Sequence, residues 1–132
     1  MKKDKNKKPE FSPAIENFCN IAEQARLDYE WNYSEVKRLE QLTQDYLHKL
    51  ELDNLSYSER AKIATKLAEC RKQRRASKDT VSVLEPFVSF IESDKGKKMM
   101  NSIKELLGHT RSIEKRMETR EYRQRVLDET DI

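Results

Sequence analysis

From Pro13 to about Leu52 the apolar residues keep one spacing. Ile15, Phe18, Ala22, Ala25, Tyr29, Asn32, Val36, Leu39, Thr43, Tyr46 and Leu50 recur at intervals of three and four, and only Asn32 and Thr43 among them are polar. In a helix this draws a narrow seam down one side, because the mean interval is half a heptad. After Pro13 neither Gly nor Pro interrupts the run. One helix of about 40 residues would be roughly 60 Å long. Such a rod cannot bury its seam alone, so another stretch of this chain, or another chain, must lie along it.

A second stretch carries the matching pattern: Ile63, Leu67, Cys70, Arg74, Ser77, Val81, Leu84, Val88 and Ile91. Between the two runs, Asp53 and Asn54 compete for backbone hydrogen bonds and stop the first helix. Ser56 and Glu59 have the spacing of a capping box, which starts the second. A connection this short makes the two helices antiparallel neighbours. Counting outward from the turn sets Asn32 opposite Ser77 and Glu35 opposite Arg74. A polar layer of Asn32, Glu35, Arg74 and Ser77 is therefore expected in mid-hairpin, costing stability and fixing register. Pro86 removes one amide donor and predicts a kink near Ser82–Glu85.

The two ends differ in character. Residues 1–11 are lysine-rich and broken by Pro9, which predicts a disordered tail ahead of a single helical domain at 12–132. Such a tail is commonly a solubilising one, with an electrostatic arm for an acidic partner as the functional use. Ser12 and Pro13 suit a helix entrance, Ser12 as the cap and Pro13 in the first turn. Ser93-Asp94-Lys95-Gly96 reads as a break. A third helix follows with Met99, Met100, Ile103, Leu106 and Leu107 on its apolar side, and Gly108 either ends it or weakens it. Thr110 to about Leu127 reads as a further, highly charged helix that packs only in part.

Composition narrows the function classes. Hydrophobic residues are 36% and charged residues 39% of the 132, and Gly and Pro are scarce. Long solvated helices have that balance, whereas a sheet protein needs more turns. The core must be thin, and self-association as a homodimer is one way to complete it. With 27 basic and 24 acidic residues, the chain lacks the strong positive field of a general nucleic-acid binder. No apolar run is long enough for a membrane span, and Met1–Lys5 lacks a secretory signal, so a cytoplasmic protein is expected. Cys19 and Cys70 have no motif spacing and read as reduced packing residues.

Chemistry finds little to stand on. Asp45 and His48 sit one turn apart, but a helical metal site needs several carboxylates and usually a second such pair, so no metal is expected. Gly96 and Gly108 stand alone, which leaves no phosphate-cradling loop and no expected cofactor. The carboxylate pairs Asp28/Glu30 and Asp128/Glu129 lack an apolar setting that would tune them. No catalytic residue is assigned, and the chain is read as a non-enzyme.

Binding has better candidates. Arg71, Arg75 and Lys78 share one helical face beside Arg74. Against a phosphate backbone that face gives salt-sensitive affinity without sequence preference. The alternative is that acidic residues of the first helix, and solvent, absorb these charges. In the C-terminal region Glu114, Glu118 and Glu121 interleave with the arginines at salt-bridging spacing, which favours a solvated helix. Trp31 and Tyr33 lie off the main seam. They are either aromatic anchors for a protein partner or a second buried face under the third helix.

The strings Trp31-Asn32-Tyr33 and Leu42-Thr43-Gln44-Asp45-Tyr46-Leu47-His48-Lys49-Leu50-Glu51-Leu52 resemble those of small helical proteins of Gram-positive bacterial phages and prophages. So do Arg71, Arg74-Arg75, Lys78-Asp79 and Leu107-Gly108-His109-Thr110-Arg111. The resemblance implies a small intracellular phage protein that binds a host or phage protein, or assists replication, and it implies no catalytic residue.

The expectation is an all-α protein: a long antiparallel helical hairpin with one or two shorter C-terminal helices, an elongated bundle with coiled-coil packing. Its expected role is non-catalytic protein binding, as an inhibitor or regulator, through Trp31, Tyr33, Arg71, Arg75 and Lys78. The alternative is a nucleic-acid-binding accessory protein using the 71–78 face and the lysine tail.

Overall fold

The computed structural model describes residues 8–123 and 125–127. Among these the chain is all-helical and has no strand. It forms α1 (Ser12–Leu52), α2 (Tyr57–Glu92) and α3 (Asp94–Glu118). Of the expected tail, residues 1–7 lie outside the described residues, and residues 8–11 are exposed. Residues 124 and 128–132 of the expected 12–132 domain also lie outside. No described helix is long and apolar enough to cross a membrane.

The seams found by spacing are the packed faces. On α1 every seam residue is buried or half-buried except Phe18, which stays 38% exposed. On α2 every seam residue is buried or half-buried, Arg74 and Ser77 included. Among the described residues the buried apolar set is small: Ile15, Ala22 and Leu39 on α1, Ile63, Cys70 and Val88 on α2, Leu107 on α3. A narrow seam buries one stripe per helix and leaves the rest wet, so this core is long and thin.

Named contacts tie the helices together. The Cys70 thiol donates to Leu39 O at 3.4 Å and lies 3.4 Å from Thr43 Oγ1. Thr43 Oγ1 donates to the same carbonyl at 2.8 Å, so its hydroxyl is satisfied inside the seam. Farther along, Arg74 reaches Glu40 at 3.1 Å. Tyr33 and Val36 share a groove with Val81 and Ser82, and Ala22 shares one with Ile91. The α2 start follows the capping-box spacing: the Ser56 hydroxyl accepts from Glu59 N at 3.2 Å and donates to its carboxylate at 3.0 Å. Pro86 sits inside α2, which runs unbroken from Tyr57 to Glu92.

Three local expectations need correction. Ser12 does not cap α1: Phe11 holds the cap position and contributes no side-chain bond. The acceptor comes instead from α3. Glu114 Oε1 accepts from Ser12 N at 3.0 Å and Phe11 N at 3.4 Å, while the Ser12 hydroxyl donates to Glu114 Oε2 at 2.7 Å. A carboxylate suits the positive helix entrance better than a hydroxyl does.

The break after α2 is Ser93 alone, and Asp94–Gly96 belongs to α3. Ser93 Oγ accepts from Gly96 N at 3.1 Å, so one residue ends α2 and caps α3. Gly96 is buried, and a Cβ there would stand 1.8 Å from Phe90 O and 2.8 Å from Ile91 Cα. The glycine thus permits a close backbone approach between the end of α2 and the start of α3.

The expected separate helix at 110–127 is not formed. α3 passes through Gly108, where a Cβ would meet nothing within 4 Å, and stops at Glu118. One glycine costs a helix about 1 kcal/mol, too little to stop one flanked by good formers and packed through Leu107. Beyond Thr119 apolar residues thin out, Tyr122 and Val126 are exposed, and no helix forms at 120–123 or 125–127.

Candidate partner-binding grooves

The pairing of α1 with α2 leaves a groove on each side of the seam. One is walled by Lys37, Glu40, Gln44 and Leu47 of α1 and by Arg71 and Arg74 of α2. It continues past Lys37 and Glu40 to Tyr33, Lys78 and Val81. Helical spacing explains the set: Tyr33, Lys37, Glu40 and Gln44 recur at three and four along one flank of the α1 seam, as do Arg71, Arg74 and Lys78 on α2.

Tyr33 is 49% exposed and fixed from two sides. Its ring stacks on Tyr29 with centroids 6.0 Å apart and planes 28° from parallel, and Lys37 Nζ stands 4.9 Å from its centroid. Burial pushes the Tyr29 hydroxyl above its ordinary pKa, helped by the negative charge of Glu85. The Tyr29 hydroxyl therefore stays neutral at physiological pH.

The basic residues are not equally engaged. Arg74 is half-buried and held by Glu40 through both Nε and Nη2. Lys37, Arg71, Arg75 and Lys78 are exposed, and among the described residues none of them is in an ion pair. Glu40 is the acid that enters this groove, and Arg74 occupies it.

The expected polar layer does not join its four members to one another. Asn32 donates to Asp28 O at 2.8 Å within α1. Glu35 is taken by Arg38 one turn on, and that hydrogen bond holds its carboxyl below the ordinary value. Arg74 goes to Glu40. Ser77 is buried on the opposite side, in a second groove with Trp31, Glu35, Leu39, Gln73 and Ala76.

The five expected contact residues are thereby divided. Tyr33, Arg71 and Lys78 line the first groove. Arg75 is exposed on α2 but walls neither groove. Trp31 stands on the far side, 64% exposed. α3 covers neither aromatic, because its neighbours lie toward the start of α1: Met100 and Lys104 share a groove with Ala22 and Arg26, and Arg111 reaches Glu16 at 2.9 Å. Sequence reading missed Lys37 as a groove residue, although its spacing from Tyr33 was visible.

Asp45 and His48 are both exposed, and among the described residues no three His, Cys, Asp or Glu side chains come close enough to hold a metal ion. Compared with known proteins, the chain matches no family model, no curated protein and no solved structure.

Proposed function

We propose that the chain is a non-catalytic protein-interaction module, built as an antiparallel helical hairpin of α1 and α2 with α3 alongside. Its groove of Tyr33, Lys37, Arg71 and Lys78 takes an acidic segment of a partner protein. The pairing is supported by partners that come earlier on α2 as they come later on α1: Ala22 with Ile91, Tyr33 with Val81, Thr43 with Cys70. The observation that carries the role is an exposed, pre-stacked tyrosine beside Lys37 and Lys78, with Arg71 farther along the same groove, all three cations without an ion-pair partner among the described residues. Rigid aromatics and basic side chains supply much of the energy at protein interfaces, and uncommitted cations select an acidic partner. The role fits an inhibitor or regulator, and the resemblance to small phage proteins implies binding of a host or phage protein.

The basic wall keeps a nucleic-acid reading in play, and one experiment separates the two. Affinity capture is run with wild type and with Arg71→Glu/Lys78→Glu, each with and without nuclease. The module reading expects a protein held by wild type, lost in the variant and indifferent to nuclease. Capture abolished by nuclease, with a gel shift that weakens steeply with salt, gives the alternative. Equal capture by the double variant sinks the groove.

A further inference from the structure

The flank that carries the Tyr33 groove has two columns of charge. On α1, Glu16, Glu23, Glu30 and Lys37 recur every seven residues; on α2, Arg71, Lys78, Glu85 and Glu92 do. Seven residues are two turns, so each column keeps to one side of its helix. The sign changes between Glu30 and Lys37 on α1 and between Lys78 and Glu85 on α2. Both changes fall at one level, because Tyr33 shares a groove with Val81 and Ser82. The flank is therefore acidic toward the start of α1 and basic toward the α1–α2 turn. Each half holds one residue of the other sign, already bonded within that half: Arg26 to Glu23 and Glu30, and Glu40 to Arg74.

α3 lies along the acidic half. Its Lys97 and Lys104 share a groove with Glu23 and Glu92, and its Arg111 bonds Glu16 at 2.9 Å. These three cations also recur every seven residues. Arg26, and then Lys104, hold the Glu23 carboxyl below its ordinary value. α3 starts at Asp94 and runs toward Ser12, away from the basic half. Among the described residues the walls of the basic half come from α1 and α2 alone, and in it Tyr33 is 49% exposed and Leu47 41%.

We propose that the basic half seats a second such helix, an acidic amphipathic one supplied by a partner protein and laid end to end with α3. The inference rests on reading this groove as the acid-binding site, and it adds the form in which the acid arrives. On this flank α1 and α2 already hold one helix, whose edge cations meet their acids. Where the same walls turn basic, the complementary occupant carries acids at those edge positions. Helix-in-groove recognition seats apolar residues at three-four spacing, and Tyr33, Val36, Leu47 and Val81 offer the apolar surface here. Arg71 and Lys78 stand about 10 Å apart along α2, so acids seven residues apart on one edge of the partner reach both. From Tyr33 to Leu47 the seat is about 21 Å long, which takes a helix of roughly four turns.

Fluorescence anisotropy of labelled peptides titrated with the full chain tests this. The acidic probe is the α3 sequence, Asp94–Glu118, with Lys97→Glu, Lys104→Glu and Arg111→Glu; it keeps the apolar stripe of α3 and reverses its edge. The expected result is saturable binding to wild type, weakened more than about ten-fold by Arg71→Glu/Lys78→Glu at unchanged helix content. The unaltered α3 peptide should bind wild type more than about ten-fold more weakly than the acidic probe and should prefer the variant. An acidic probe broken by Ser102→Pro and Gly108→Pro, which loses neither a charge nor an apolar residue, should not bind. If the broken probe binds as well as the intact one and is lost in the variant, the helical form is overturned and the affinity of the groove for acid stands. Acidic-probe binding that the variant leaves unchanged overturns both, as does no binding of either acidic probe at millimolar concentration. An unaltered α3 peptide that binds wild type as tightly as the acidic probe overturns the charge matching. A chain that sediments at twice 15.7 kDa, and as a monomer with Arg71→Glu/Lys78→Glu, gives the seat to a second copy and overturns the partner helix.

Discussion

Leu39→Ala is the sharpest test of the packing. Leu39 is 1% exposed, the most buried large side chain among the described residues, and its carbonyl accepts from both Cys70 and Thr43. The substitution leaves those carbonyl bonds available and removes side-chain packing alone. A buried Leu→Ala costs 2–5 kcal/mol, and a two-layer seam open to water on both flanks can collapse onto the gap, so about 3 kcal/mol is expected. At roughly 3–4 °C per kcal/mol for a chain of this size, Tm should fall by about 10 °C. Thermal and urea unfolding followed by far-UV circular dichroism measure both quantities. Protein concentration must be held fixed, because self-association would itself raise Tm. Leu52, 75% exposed at the end of α1, is the control: Leu52→Ala should change stability by no more than about 0.5 kcal/mol. A Leu39→Ala loss below about 1 kcal/mol, or an equal loss for Leu52→Ala, refutes the assignment of the seam as the core.

Other outcomes follow from single contacts. Gly96→Ala puts a Cβ against backbone at Phe90 and Ile91, atoms that cannot rotate away, so α3 should lose its seat on α2; greater hydrogen exchange in α3 than in α1 checks this. Hydrogen bonds from the Ser12 hydroxyl and amide hold the Glu114 carboxyl below its ordinary pKa. Its clasp on α1 is therefore complete above that ordinary value and is released as pH falls through the depressed one. Amide exchange at Ala14 and Ile15 should rise in acid for wild type and be pH-insensitive for Glu114→Gln, after correction for intrinsic rates. A double-mutant cycle on Arg74 and Glu40, both partly exposed, should give a coupling of only about 0.2–1 kcal/mol that shrinks in salt.

The spacing of apolar residues carried most of the fold because a seam needs only local periodicity. Both long helices, their packed faces and the Ser56 cap were legible that way. Contacts between distant residues were not. Glu114 caps α1 from 102 residues away in the chain, and nothing in the pattern around Ser12 announces it. The expected polar layer was counted from the turn alone. That count fell about one helical turn out of register, since Thr43 meets Cys70 and Ala22 shares a groove with Ile91, and side chains choose nearer partners: Asn32 its own helix, Glu35 the Arg38 one turn on. Gly96 was read as a helix breaker, although a glycine also permits two backbones to approach closely. The Tyr33 groove was legible in its cations at helical spacing, and so was the splitting of Trp31 from Tyr33, since positions two apart on one helix stand about 200° from each other; which flank of the seam each takes needed the phase of α1 against α2.

The account rests on α1 and α2 lying side by side within one molecule. Spin labels at Gln44 and Arg71, which wall the same groove, test this directly. They are placed on a Cys19→Ser/Cys70→Ala background, and labelled protein is diluted into unlabelled protein. The pairing predicts a single short intramolecular distance, below about 20 Å, whereas a continuous straight helix would separate the two positions by roughly 40 Å. The longer distance, or a short one that disappears on dilution with unlabelled chains, would contradict the account.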